Sequence, residues 1–331
     1  MVSFCAGFFM LQKGRKEDVM KMARVLAVSL CVLFISGVAS ADTFGTGGNQ
    51  FDIDFVGISG DSGDLGSWSA GSGYTFSGVN HGEYRMGTYE ITNDQWGKFV
   101  NAYGTVTGDP AGAYDESAYW AGTDVPTNEL SWYEGAQFVN YLNTIKGHPA
   151  AYKFTGTQGT GSYSLGVWES GDVGYDSSNP YRNSNAFYFL PTEDEWVKAA
   201  YWNGTSLQTY ATTDGSTPIA GTDTNHEYAI GQPWDVGSGS EELNGTFDMM
   251  GNVWEWMESP YSGDYLSGSG RGIRGGSYSS NDYNLSSSIR VNFNPTDEGC
   301  SIGFRVASNV PEPFSLVLLS VGGLVLRCRR K

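Results

Sequence analysis

The sequence predicts an α+β body with little regular secondary structure, and three observations predict it. Its 331 residues include 46 Gly but only 17% charged residues, which favours turns and short strands over a helical bundle. Only three stretches combine a helix start signal with a helical apolar period. The rest alternates turn residues with short aromatic runs, and 40% apolar with 14% aromatic content is ample for a packed core.

Residues 42–81 are rich in Gly, Ser and Asp, and the alternation of Phe51, Ile53 and Phe55 predicts a strand followed by loops. Thr92 with Gln95 makes a capping box, Trp96, Phe99, Val100 and Tyr103 share one helical face, and Gly104 can end that helix. Ser131 with Glu134 opens a second helix. Its buried stripe is expected to be Ala136, Val139 and Leu142 with Phe138 and Ile145, and Gly147 can terminate it. Thr192 with Glu195 opens a third after Pro191, with Trp196, Ala199 and Ala200 spaced to bury one face. Beyond residue 203 no further helix of length is expected. Short strands are expected at residues 228–230, 253–257, 272–278, 288–293 and 303–307, and no repeat recurs at a fixed period.

The formal charge of -17 understates the acidity of the body. Five of the 19 Lys and Arg precede residue 42 and four follow residue 326, so the body between carries about -23. That balance argues against nucleic acid as a partner. It fits a secreted protein, a cation-binding protein, or plain solubility in a crowded envelope.

Both ends read as addresses. Lys13, Arg15, Lys16, Lys21 and Arg24 precede an apolar run at residues 25–38 and an A-x-A cleavage site at Ala39, Ser40, Ala41, the order of a secretory signal peptide. The charged region begins late, so Met20 or Met22 is an alternative start. At the other end Val310, Pro311, Glu312 and Pro313 precede an apolar stretch at 314–326 and the basic cluster Arg327, Cys328, Arg329, Arg330, Lys331. This order resembles the PEP-CTERM sorting signal. The resemblance implies secretion machinery that halts on the basic cluster, a membrane transpeptidase (exosortase) that cuts near Pro-Glu-Pro, and a Gram-negative outer envelope or extracellular matrix as destination. Membrane contact is expected only through this tail before processing. Cys5 and Cys31 leave with the leader and Cys328 lies in the tail, so Cys300 alone remains in the body and no internal disulfide is expected.

Five segments, in order, resemble the signature blocks of the formylglycine-generating-enzyme (sulfatase-modifying factor) family. They are Tyr84-Arg-Met-Gly-Thr-Tyr-Glu-Ile-Thr-Asn, Val125-Pro-Thr-Asn-Glu-Leu-Ser-Trp, Phe189-Leu-Pro-Thr-Glu-Asp-Glu-Trp, Asp248-Met-Met-Gly-Asn-Val-Trp-Glu-Trp, and Arg274-Gly-Gly-Ser-Tyr running on to Gly303-Phe-Arg-Val. The chain then divides into a signal peptide (1–41), an N-terminal strand and loop segment (42–81), the family-like domain (82–308) and the sorting tail (309–331). The resemblance implies an irregular C-type-lectin-like fold, structural calcium, and a groove where two cysteines bind copper and oxidise a sulfatase cysteine to formylglycine.

That chemistry needs thiolates, because a soft ligand pair holds Cu(I). Between Gly275-Gly-Ser-Tyr and Arg290, where the pair should lie, residues 279–288 contain no cysteine. Cys300 lies ten residues past Arg290 and matches neither family cysteine. Serine is too hard a ligand to replace them, so copper is not expected. The resemblance also carries calcium onto Asp248, Gly251, Val253 and Glu255, a carboxylate and carbonyl set suited to a hard cation. The alternative is that these acids cap turns around a Trp254 and Trp256 core. A second family calcium site would fall near Asn225, without the insertion that supplies its acids.

His81, His148 and His226 lack zinc-ligand spacing. Arg271, Arg274, Arg290 and Arg305 cluster in the block nearest the family groove, either as a cationic spot for an anionic ligand or as buried partners of Asp and Glu. Candidate groove or ligand residues are Arg274, Ser277, Ser287 and Arg290. Three functions remain open: a non-oxidase module binding a polysaccharide or protein ligand in the envelope, an oxidase using Cys300 or another arrangement, and a structural part of a polysaccharide matrix.

Overall fold

The computed structural model describes residues 40–60 and 83–311, together with the backbone of residues 68–69 and 75–76. The apolar and basic parts of both the expected leader and the expected sorting tail lie outside the described residues. Among the described residues no helix is long and apolar enough to cross a membrane.

Two sheets organise the body. The first has the order β1-β2-β5-β13-β8, where β1 is Ser40–Phe44, β2 Phe51–Ile58, β5 Tyr84–Gly87, β8 Tyr188–Phe189 and β13 Ala307–Asn309. All its pairs are antiparallel. The expected alternation holds in β2, which buries Phe51, Ile53, Phe55 and Ile58 while Asp52 and Asp54 face water. The second sheet has the order β11-β10-β9-β12, with β9 Trp254–Pro260, β10 Arg271–Arg274, β11 Val291–Phe293 and β12 Ile302–Gly303. Two short hairpins complete the strands: β3 (Trp68–Ser69) with β4 (Thr75–Phe76), and β6 (Phe154–Thr155) with β7 (Ser164–Leu165).

All three helices form where their caps predict: α1 Asn93–Tyr103, α2 Trp132–Ile145 and α3 Glu193–Tyr201. In each, both hydrogen bonds of the capping box are made, satisfying two otherwise orphaned backbone donors. Helix α2 is buried along nearly its whole length, and its Phe138 meets Trp96, Phe99 and Phe304. Helix α3 packs Trp196, Ala199 and Ala200 against Met249, Met257 and Leu285 in a second cluster.

Several expectations are corrected. Ile145 is 41% exposed, because it is the last residue of α2 and the core ends a turn earlier. Residues 228–230 form a turn, with Tyr228 at φ +57°, outside strand geometry. The single strand expected at 303–307 is two: β12 ends at Gly303, residues 304–306 cross between the sheets, and β13 begins at Ala307. The crossing is held on both sides, as Ile91 N–H donates to Phe304 O and Gly87 N–H to Val306 O.

Candidate functional site

The segment in which the resemblance places a thiol pair is a serine loop folded on itself. After the left-handed Gly275 and Gly276, Ser277 is buried and its N–H donates to Ser280 Oγ at 3.0 Å. A Cβ on Gly276 would stand 2.5 Å from Leu285 Cδ2, so only glycine lets the loop fold onto that side chain. Ser286 and Ser288 hydroxyls lie 2.9 Å apart, and Ser287 N–H donates to Thr209 O. Cys300 is the free cysteine among the described residues. Its carbonyl accepts from Trp120 Nε1 at 2.8 Å, and its thiol meets the Tyr278 hydroxyl rather than a second sulfur.

The four arginines are structural. Glu193, at the first turn of α3, receives Arg274 Nε at 2.6 Å and Arg290 Nε and Nη2 at 2.8 and 2.6 Å. Arg274 also donates to the carbonyls of Ser287 and Ile289, tying both ends of the serine loop's last turn. Arg271 has no carboxylate among its hydrogen-bond partners. It lies between the rings of Trp132 and Tyr181 and donates to Tyr181 Oη and Ser269 O, and burial pushes its pKa down. With side chains no more than 7% exposed at Arg290 and fully buried at Arg274, the cationic-spot alternative is corrected: these charges face acids and carbonyls, not solvent. Ser277 and Ser287 are likewise buried, so none of the four expected groove residues lines an open surface.

Four buried acids gather around Arg305, of which the sequence singled out only Asp248 and Glu255. Glu90, Glu242, Asp248 and Glu255 are all buried around Arg305, which reaches both oxygens of Glu255 at 2.7 and 2.6 Å. Four carboxylates face one guanidinium there. Burial, with Asp248 and Glu255 beside it, pushes Glu90 well above the ordinary carboxylate range. Burial likewise raises Glu242 to about 8 and Asp248 above its usual value. An open recess of about 200 Å³, lined by Asp214, Asp223, Glu241 and Glu242, adjoins the cluster.

The calcium set carried over from the resemblance falls in this cluster. Asp248 accepts from Trp234 Nε1 and Gly237 N–H, while Glu255 accepts from Trp196 Nε1 as well as Arg305. Among the described residues no three His, Cys, Asp or Glu side chains converge as a metal site. The donor types nevertheless suit a hard cation, since the set offers two carboxylates and two main-chain carbonyls. Asn225 supports the fit. Its backbone carbonyl would lie 2.2 Å from a Cβ on Gly251, and its buried amide oxygen has no hydrogen-bond partner.

A second acid pair ties α2 to the loop before Cys300. Glu134 and Glu298 share a carboxyl hydrogen bond, and Glu298, raised chiefly by burial, is pushed up to about 7. The folded state therefore holds a proton that the unfolded chain releases near 4.5. Stability from this pair is full below that pH and is lost as pH rises towards 7, at no more than about 1.4 kcal/mol per unit. A pH series of urea melts should show this decline, and Glu298→Gln should flatten it; an unchanged slope in the variant would assign the decline to other groups.

No curated protein is significantly similar to the chain in sequence. Among solved structures, Treponema denticola variable protein 1 matches with TM-score 0.59 at 21% identity, covering 82% of this chain and 100% of that one. CarF matches with TM-score 0.56 at 20% identity over 78% of this chain and 99% of its own. PvdO from Pseudomonas aeruginosa matches with TM-score 0.52 at 17% identity, over 81% and 98%. At these identities the likeness is one of fold, and it bears out the C-type-lectin-like α+β class. Residues 63–310 match the model of the sulfatase-modifying factor enzyme 1-like domain, and the chain belongs to that family, the one whose signature blocks its sequence carries.

Proposed function

We propose that this protein is an exported, envelope-sorted member of the family that lacks the copper oxidase activity and serves as a ligand- or matrix-binding module. One observation carries the reading. The segment that would hold a thiol pair is packed with serines whose hydroxyls and backbone bond to one another, and Cys300 stands apart with an aromatic partner. A protonated hydroxyl neither binds Cu(I) well nor cycles with oxygen. The leader, the sorting tail and the strongly acidic body support export and processing by exosortase, with a polysaccharide or protein of the envelope as eventual partner.

The test is mass spectrometry of a sulfatase-motif cysteine peptide incubated with the purified protein, copper, oxygen and a thiol reductant. The peptide should stay unmodified while a competent family oxidase converts it. Formylglycine in the product would overturn the reading and make Cys300 the next residue to replace.

Calcium belongs to the same proposal as a structural ion. Asp248, Glu255 and the carbonyls of Gly251 and Val253 would hold it, with Asn225 adjacent, and the ion would offset the buried negative charge. Millimolar calcium should raise the melting temperature and a chelator should lower it, with the effect lost in Asp248→Ala. An identical melting temperature with and without the ion would remove calcium from the account.

A further inference from the structure

We propose that Tyr119, Trp120, Tyr228 and Tyr278 form a docking shelf for a polysaccharide of non-acidic pyranoses, a proposal that rests on the binding-module reading and gives it a ligand class. Three loops bring these rings into one row. Tyr119 meets Trp120 at 4.8 Å, Trp120 meets Tyr278 at 5.6 Å, and Tyr278 meets Tyr228 at 5.9 Å, each edge to face. Tyr119 and Tyr228, at the two ends, are 67% and 64% exposed, so these rings contribute little to the core.

The row is rigid. Asn128 Oδ1 accepts from the N–H groups of both Tyr119 and Trp120, the indole of Trp120 is fixed to Cys300 O, and Tyr278 N–H donates to Asn252 O. Tyr228 is held by its N–H to Tyr278 O, and its neighbour Glu227 by its N–H to Ser280 O. Those two bonds keep consecutive non-glycine residues at φ +54° and +57°. Such a pair is costly, and it presents a ring to water rather than burying it. Strain maintained without burial marks a surface held for a ligand.

Charge selects the ligand. The arginines of the body engage Asp42, Glu193, Glu195, Glu255 and Glu258, or in the case of Arg271 the rings of Trp132 and Tyr181. Its lysines engage Asp94, Asp172, the Gly60 carbonyl and the Phe44 ring. Glu227, exposed beside Tyr228, adds an acid at the shelf's edge. A carboxylated or sulfated polymer meets negative charge here without a counter-ion. A neutral pyranose can lay its C–H face on the exposed ring at either end, Tyr119 or Tyr228, and an amine-bearing one also gains from the acidic field.

The experiment is calorimetric binding of the purified full-length protein to a neutral cello-oligosaccharide, a chitosan oligomer, an oligogalacturonate and an oligolysine peptide. The first two should bind, the chitosan oligomer more tightly at low salt, and the oligogalacturonate should not. Tyr228→Gly should weaken binding about tenfold while the melting temperature holds or rises, because glycine accepts that φ freely. Leu266→Ala, which removes an equally exposed apolar side chain from the loop whose carbonyl accepts from Tyr181 Oη, should bind as wild type. Undiminished binding by Tyr228→Gly would overturn the shelf, and equal binding of oligogalacturonate would overturn the charge argument. Binding of oligolysine with neither sugar would make the face a protein-docking one. Failure of both sugars with no formylglycine produced would sink the ligand class alone, whereas formylglycine production would sink the reading beneath it.

Discussion

Arg305→Ala should lower the melting temperature by roughly 10 °C or leave the protein insoluble, the largest single-residue effect expected in this fold. The side chain is fully buried, pairs with both oxygens of Glu255, and donates to the carbonyls of Gly87, Thr88 and Phe247. Removing it leaves the Glu255 carboxylate buried without its partner among three further acids, and breaking a buried pair from one side costs about 3–5 kcal/mol. Arg305→Lys should recover only part of the loss, because an ammonium cannot span the two carboxylate oxygens and three carbonyls that the planar guanidinium reaches. Differential scanning calorimetry of the two variants checks the order. A lysine variant as stable as wild type would show that charge alone, not the fork geometry, is what the cluster requires.

Glu193→Ala comes second. One carboxylate serves two guanidiniums, and its loss leaves Arg274 and Arg290 facing each other across a vacated position. A loss of about 3–5 kcal/mol is expected. The effect should also be local, because Arg274 fixes the carbonyls of Ser287 and Ile289. Amide exchange in residues 275–290 should therefore accelerate more in this variant than at α2. Uniform acceleration across the chain would mean that Glu193 supports the whole fold rather than the serine loop.

What the sequence disclosed follows from the range of the forces involved. Thr92, Ser131 and Thr192 could be read as helix starts because a capping box closes within three residues, and all three form as written. The lack of cysteine in residues 279–288 is equally legible, since absence of a residue type needs no geometry. Partners across the chain were not. The sequence placed Arg274 and Arg290 near each other but offered no means of choosing Glu193, about a hundred residues earlier, over an external anion. Glu90 and Glu242 looked like ordinary acids, and only tertiary packing puts them beside Arg305. A short apolar run such as Tyr228-Ala-Ile resembles a strand, whereas the Tyr228 backbone is fixed by Tyr278, fifty residues later. The row of Tyr119, Trp120, Tyr278 and Tyr228 is illegible in sequence for the same reason, as its rings come from three separated loops.

The position of β13 sets a condition on how the molecule can be assembled. This last strand lies inside the first sheet, between β5 and β8, although it comes from the end of the described chain. A polypeptide delivered N-terminus first can pair β1, β2 and β5, but the sheet keeps a gap until residue 309 emerges. Residues 304–306, which carry Arg305 to its acids, arrive at the same moment. Closure of the sheet and pairing of Arg305 with Glu255 thus depend on the same last stretch of chain.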